Sequence, residues 1–98
     1  MIEASVAIQV LPKVENVTEV IRIVDKVIEY IDSTGYKYFV GPFETTIEGD
    51  YDTLMTIVKR CQEICIEEGA GGVSSYVKIS YSPKGVLTIG EKTDKYNN

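Results

Sequence analysis

YKYFVGPFETTIEGD, residues 36–50, holds two runs of β-forming residues, Tyr36 to Val40 and Phe43 to Glu48, parted by Gly41 and Pro42. Aromatic and β-branched side chains favour a pleated strand, and Gly-Pro between two such runs marks a tight reversal, so the stretch predicts an antiparallel β-hairpin. Gly49 and Asp50 break the second strand. Asp50 or Asp52 can then cap a helix with Leu54, Ile57, Val58, Cys61, Ile64 and Cys65 on its inner face, stopping at Gly69.

Upstream, IEASVAIQVL from Ile2 to Leu11 alternates with period two. Ile2, Ala4, Val6, Ile8 and Val10 fall on one side, and Glu3, Ser5, Ala7, Gln9 and Leu11 on the other, so a strand with one apolar face is expected. Pro12 ends it, and Asn16 with Glu19 three residues on is a variant of the capping box, which starts a helix. Along that helix Val17, Val20, Ile21, Ile23, Val24, Val27, Ile28, Tyr30 and Ile31 cover about half the circumference at 100° per residue. A stripe that wide exceeds what one sheet face needs, which predicts packing on a second helix or a neighbouring subunit. Gly35 supplies the left-handed stop.

Downstream, Gly69, Gly71 and Gly72 follow a helix and open a strand, the reverse of a phosphate-binding loop, and read as a helix C-cap and turn. VSSYVKISYS, residues 73–82, predicts the last strand, with Val73, Ser75, Val77, Ile79 and Tyr81 opposite Ser74, Tyr76, Lys78 and Ser80, and with Pro83 and Gly85 closing it. Thr88 and Glu91 stand at capping-box spacing, so a short terminal helix follows, weakened at Gly90 by about 1 kcal/mol relative to Ala.

The order β-α-β-β-α-β closes most economically as the split βαβ arrangement, an α+β ferredoxin-like domain spanning residues 1–98. Its four-stranded antiparallel sheet has the expected order 4-1-3-2, with both helices on one face and a short C-terminal helical extension. Strands one and three are then central neighbours, and Ser5, Ala7, Gln9, Thr46 and Glu48 share the face away from the helices. Lys37, Phe39, Tyr76, Lys78 and Ser80 join them from the edge strands. Small Ser5 and Ala7 leave a shallow depression there, with hydrogen-bonding groups around it and Phe39 or Tyr76 as a stacking wall.

Composition narrows the function. The chain has 15 Asp and Glu against 10 Lys and Arg, a formal net charge of −5, so nucleic acid and anionic membrane partners are disfavoured and a neutral or cationic small molecule is favoured. It has no His, which removes the commonest general base and transition-metal ligand. Cys61 and Cys65 lie four apart in a helical pattern with no further Cys or His to complete a zinc site, and read as buried reduced thiols. No apolar run approaches the roughly 20 residues of a membrane span, and Met1 leads straight into a strand, so a cytoplasmic chain is expected. The tyrosines Tyr36, Tyr38 and Tyr81 read as strand packing, and Glu44, Glu48, Asp50 and Asp52 as charge at a helix N-terminus.

YKYFVGPFETTIEGDYDTLM, Tyr36 to Met55, resembles the signature of the thiamine-binding protein family of small ferredoxin-like domains, most specifically at Gly41-Pro42, Thr45-Thr46, Ile47 and Glu48-Gly49. SVAIQVLP resembles that family's opening strand, and TIGEKTDKY its closing segment, so the likeness covers essentially the whole chain. Gly90 and the glycine-rich loop from Gly69 to Gly72 depart from the pattern, and bear on the terminal helix and on one rim. The resemblance implies a homo-oligomer, a tetramer built as a dimer of dimers, which binds thiamine or its hydroxymethylpyrimidine part without catalysis, cofactor or metal. Thr46, Ser5 and Gln9 would bond the pyrimidine edge, with Thr45 beside them in the motif. Glu48 would accept from the amino group or face the thiazolium cation, and Phe39, Tyr38 or Tyr76 would stack, although alternation turns Tyr38 away from Phe39.

Two rivals share the element order. One is an amino-acid-binding regulatory module resembling ACT domains; the other is a purely structural homo-oligomer with its polar sheet face sealed. Acylphosphatases need an arginine in the first loop, and copper chaperones two cysteines there, whereas Pro12 to Asn16 has neither. RNA-recognition modules need a basic, aromatic sheet.

Overall fold

Val6 pairs with Ile47 on one side and Ile79 on the other, which puts the first strand in the interior of the sheet and an apolar row across its middle. The computed structural model describes residues 2–97, leaving Met1 and Asn98 outside the described residues. In chain order the elements are β1 (Ile2–Pro12), α1 (Val17–Ser33), β2 (Tyr38–Val40), β3 (Thr45–Gly49), α2 (Tyr51–Glu67), β4 (Val73–Val86) and α3 (Ile89–Thr93), with a 3-10 turn at Asp94–Tyr96. The four strands pair antiparallel in the order β2-β3-β1-β4, the expected ferredoxin-like order read from the other edge.

Alternation along β1 sends Ala4, Val6, Ile8 and Val10 under the helices. They meet Ile23, Val27 and Ile31, spaced four apart on α1, and Leu54, Ile57, Cys61, Ile64 and Cys65 on α2. The caps expected from the residues form. Asn16 accepts from the Glu19 backbone N–H at 2.9 Å, and Asp50 from that of Thr53 at 3.0 Å. The box at Asn16 is one-sided because the Glu19 carboxylate takes Arg22 Nε at 3.0 Å instead. Arg22 also donates to the Glu68 carbonyl at 2.7 Å, satisfying an acceptor at the end of α2 and tying the two helices together.

Three expectations are corrected. β2 starts at Tyr38, since Tyr36 instead packs against Gly49 and donates its hydroxyl to Asp50 Oδ1 at 2.5 Å. Phe43 belongs to the turn, which closes when the Gly41 N–H donates to the Glu44 carbonyl at 2.9 Å, and its ring is left exposed. β4 runs on through Pro83 to Val86. Between the pairs Ala4–Tyr81 and Ile2–Val86, β1 advances two residues and β4 five, so the excess bulges out with Gly85 at φ 108°. An edge strand at a bulge tolerates a proline that a central ladder would reject.

The wide stripe of α1 is only partly covered. Val17 and Ile21 are exposed, and Val20, Val24 and Ile28 line an apolar groove of about 220 Å³ against Val40, Pro42 and Phe43. The helix layer also stops short of β4, leaving Val77, Ile79 and Tyr81 at 37%, 49% and 51% exposure on the helix side of the edge strand. Tyr51 at the start of α2 reaches Tyr81, their ring centroids 4.6 Å apart. Cys61 and Cys65 are free and fully buried, and burial pushes the Cys61 thiol up to about 12, with Cys65 beside it adding to the shift. Among the described residues no helix is long and apolar enough to cross a membrane.

Candidate functional site

The sheet register assembles the open face in cross-strand rows. Glu48, Ser5 and Ser80 form one row; Phe39, Thr46, Ala7 and Lys78 form the next; Gln9 and Tyr76 lie one row further on. Cross-strand neighbours on one face lie about 5 Å apart, so each row is a continuous strip of side chains. Ala7 supplies a low floor in the middle row.

Over part of this face lies α3. Its start is set locally: Thr88 accepts from the Glu91 backbone N–H at 3.1 Å while the Glu91 carboxylate accepts from the Thr88 N–H at 2.9 Å, the two halves of a capping box. These bonds to Thr88 hold the Glu91 carboxyl below the usual carboxylate range. The docking is long-range: Glu48 Oε2 accepts from the Ile89 backbone N–H at 2.7 Å, and both residues are buried. An anionic acceptor at the first amide of a helix satisfies a donor that has no partner within the helix. Ile89 anchors the turn, and residues three and four further on, Lys92 and Thr93, share its side.

Two adjoining hollows result. The central one, about 270 Å³, is lined by Ser5, Ala7, Thr46, Lys78, Ser80 and Lys92, together with Glu44, whose Oε1 lies 3.4 Å from Lys78 Nζ. The second, about 100 Å³, runs beneath α3 between Phe39, Thr46, Ile89, Lys92 and Thr93. Thr46 and Lys92 line both, so the two hollows adjoin and together present hydroxyl and ammonium donors beside an aromatic ring. The central hollow by itself is close to the lower end of small-ligand sites, roughly 300–1,000 Å³. The groove beside α1 has apolar walls, Phe43 among them, and only Gln9, Glu44 and Thr45 as polar residues.

The structure brings together Ser5, Phe39 and Thr46 of the candidate residues, with Glu48 buried beneath them as the acceptor that holds α3. Gln9 and Tyr76 share the face but lie a row beyond the hollow. Tyr38 and Thr45 face the other way. Tyr38 pairs with Ile47 and donates its hydroxyl to Asp32 Oδ1 at 2.8 Å, which raises its own pKa, and Thr45 pairs with Ile8 and is buried. Lys78, Ser80 and Lys92 line the space without having been singled out as site residues. Lys92 could have been found from its spacing to Ile89, had the docking of the terminal helix been known. Among the described residues no three His, Cys, Asp or Glu side chains converge as a metal site.

A family model described as thiamine-binding protein matches residues 6–97. A UPF0045 protein of Clostridium perfringens is 59% identical over 92 residues, spanning 94% of this chain and 95% of its own. A Thermotoga maritima structure, whose description proposes a place in thiamine biosynthesis or salvage, superposes with a TM-score of 0.84 at 37% identity, covering 96% of this chain and 98% of that one. A Bacillus cereus structure described as a DUF77 domain of unknown function gives 0.83 at 38% identity, covering 96% and 89%. With the motif, the fold and the match along nearly its whole length in agreement, the chain belongs to the thiamine-binding protein family.

Proposed function

We propose that this protein binds thiamine or its hydroxymethylpyrimidine moiety on the open face of the sheet and does not transform it. The observation that carries the reading is the pair of adjoining hollows bordered by α3, one lined by Ser5 and Thr46 and the other by Thr46 and the Phe39 ring. A flat aminopyrimidine needs a stacking surface and a few hydrogen bonds, and that set supplies both. Glu48 acts by holding α3 in place, and Gln9 and Tyr76 extend the face for the rest of the ligand. The chain has no His, so the hydroxyls lack the usual base that would turn a serine into a nucleophile.

The binding unit is one ferredoxin-like domain in the cytoplasm, and it self-associates as a dimer of dimers. In support, β4 is a free edge whose helix side carries the exposed strip Val77, Ile79 and Tyr81, and such edges are ordinarily covered or blunted. Light scattering coupled to gel filtration measures the assembly, and a monomer at micromolar concentration refutes that part.

Calorimetric titration with thiamine, hydroxymethylpyrimidine and a panel of amino acids tests the ligand class. Thr46→Val, which removes one hydrogen bond at nearly constant volume, is expected to weaken pyrimidine binding by about 2- to 12-fold. Heat with an amino acid alone would overturn the proposal in favour of an ACT-like regulatory module.

A further inference from the structure

Lys92 lines both hollows of the open face and a third of about 410 Å³ that continues past Ser80 and Glu91 to Leu87. Its ammonium meets no carboxylate within 4.0 Å among the described residues. Lys78 enters the central hollow from the opposite edge, and Ser5, Thr46 and Ser80 add three hydroxyls. Glu44, which also lines the central hollow, pairs with Lys78 at 3.4 Å, while Glu48 accepts from the Ile89 amide at 2.7 Å and Glu91 from the Thr88 amide at 2.9 Å. On a chain of net charge −5, that leaves Lys92 as the ammonium of this space without a carboxylate partner among the described residues.

That unpaired charge matters for what the hollow accepts. The Lys92 ammonium disfavours a cationic thiazolium beside it, leaves a neutral pyrimidine unaffected and attracts an anion. Hydroxyls with two lysines are the donor set taken by tetrahedral phosphoryl oxygens, which lysine binds as a compact point charge without a fixed fork. We propose that the physiological ligand is a phosphate monoester, its phosphoryl group held in the central hollow by Lys92, Lys78 and the hydroxyls, with the ring against Phe39. The inference rests on the thiamine-class reading of the same site and specifies the chemical form of the ligand. Because the second ionisation of a phosphate monoester lies near pH 6, affinity falls as pH drops below that value, when the dianion takes up a proton.

Calorimetry with thiamine, thiamine monophosphate, hydroxymethylpyrimidine, its phosphate ester and inorganic phosphate tests the idea. Each ester is expected to bind about 10- to 100-fold tighter than its parent alcohol, as one or two charge-assisted contacts give. The advantage should shrink between 50 and 200 mM salt, and a preference for one ester identifies the source of the phosphoryl group. Lys92→Gln and Lys78→Gln are expected to bring the ester-to-parent ratio close to one, with thermal melting confirming the fold, and Lys92→Arg should retain most of it. Esters that bind no tighter than their parents overturn this inference and leave the proposed function standing. Inorganic phosphate binding as tightly as the esters supports the phosphoryl pocket and overturns the thiamine-class reading; no heat with any of the five overturns both.

Discussion

Glu48→Ala removes the acceptor that docks α3 on the sheet, and its consequence can be worked from the geometry. The Ile89 amide is buried and bonded to Glu48 Oε2 at 2.7 Å; without that carboxylate the N–H stays buried and unpaired unless α3 lifts. Leaving such a donor unsatisfied costs roughly 1–3 kcal/mol. Five helical residues cannot hold themselves together in water, so the cost falls on the local equilibrium between docked and lifted α3, not on the whole fold. A loss of about 2 kcal/mol raises the lifted population about 30-fold, and water entering the space left by the side chain would bring that nearer 5-fold. Amide hydrogen exchange at Ile89 to Thr93, followed by NMR, reads this directly, with Ile23, Val27 and Ile31 in the core as unchanged controls. Glu48→Gln keeps a carbonyl oxygen in the same place and should stay within about 5-fold of the natural protein. Exchange at Ile89 that is unaltered in Glu48→Ala would refute the view that this bond docks the terminal helix.

Other outcomes follow from the same structure. Cys61 and Cys65 are buried and the Cys61 thiol is held up to about 12, so iodoacetamide at pH 8 should modify neither cysteine until denaturant unfolds the chain; rapid labelling of the folded protein would contradict that burial. Gly90→Ala gains up to about 1 kcal/mol of helix propensity, and the new Cβ meets only the Asp94 carboxylate at 3.1 Å, an exposed side chain free to swing aside. Exchange in α3 should therefore slow by up to about 5-fold, and faster exchange would mean that Asp94 cannot move. Hydrogen bonds from Thr53, then Tyr36, hold the Asp50 carboxyl down at about 2 from an ordinary 3.8. Its ionised form therefore stabilises the fold fully above the ordinary value, and that contribution is lost as pH falls through about 2. Asp50→Asn should flatten the acid limb of a pH-dependent melting series, and an unchanged limb would show that other carboxylates dominate it.

Much of this architecture was legible because its determinants are local. Alternation along β1 placed Ala4, Val6, Ile8 and Val10 under the helices and Ser5 and Ala7 on the open face, and Asn16, the pair Asp50 and Asp52, and Thr88 marked three helix starts, of which the second is capped by Asp50. The misreadings lie where a neighbouring segment overrides local preference. Tyr36 looks like strand, yet its ring finds Gly49 and its hydroxyl finds Asp50. Pro83 and Gly85 look like a strand end, yet they sit on an edge where β4 can bulge and resume pairing at Val86. The wide apolar stripe of α1 correctly implied more than one packing partner, although Val17 and Ile21 remain exposed in the single chain.

The candidate site divides along the same line. Period and register determined from the sequence alone that Ser5, Thr46, Glu48 and Phe39 share one face, because successive strand residues must alternate. Whether that face forms a hollow, and that Lys92 overhangs it, was decided only by the docking of α3. Its anchor joins Glu48 to Ile89 across 41 positions of chain. Bonds of that reach depend on where the assembled sheet leaves an unpaired carboxylate, and no local periodicity carries that information.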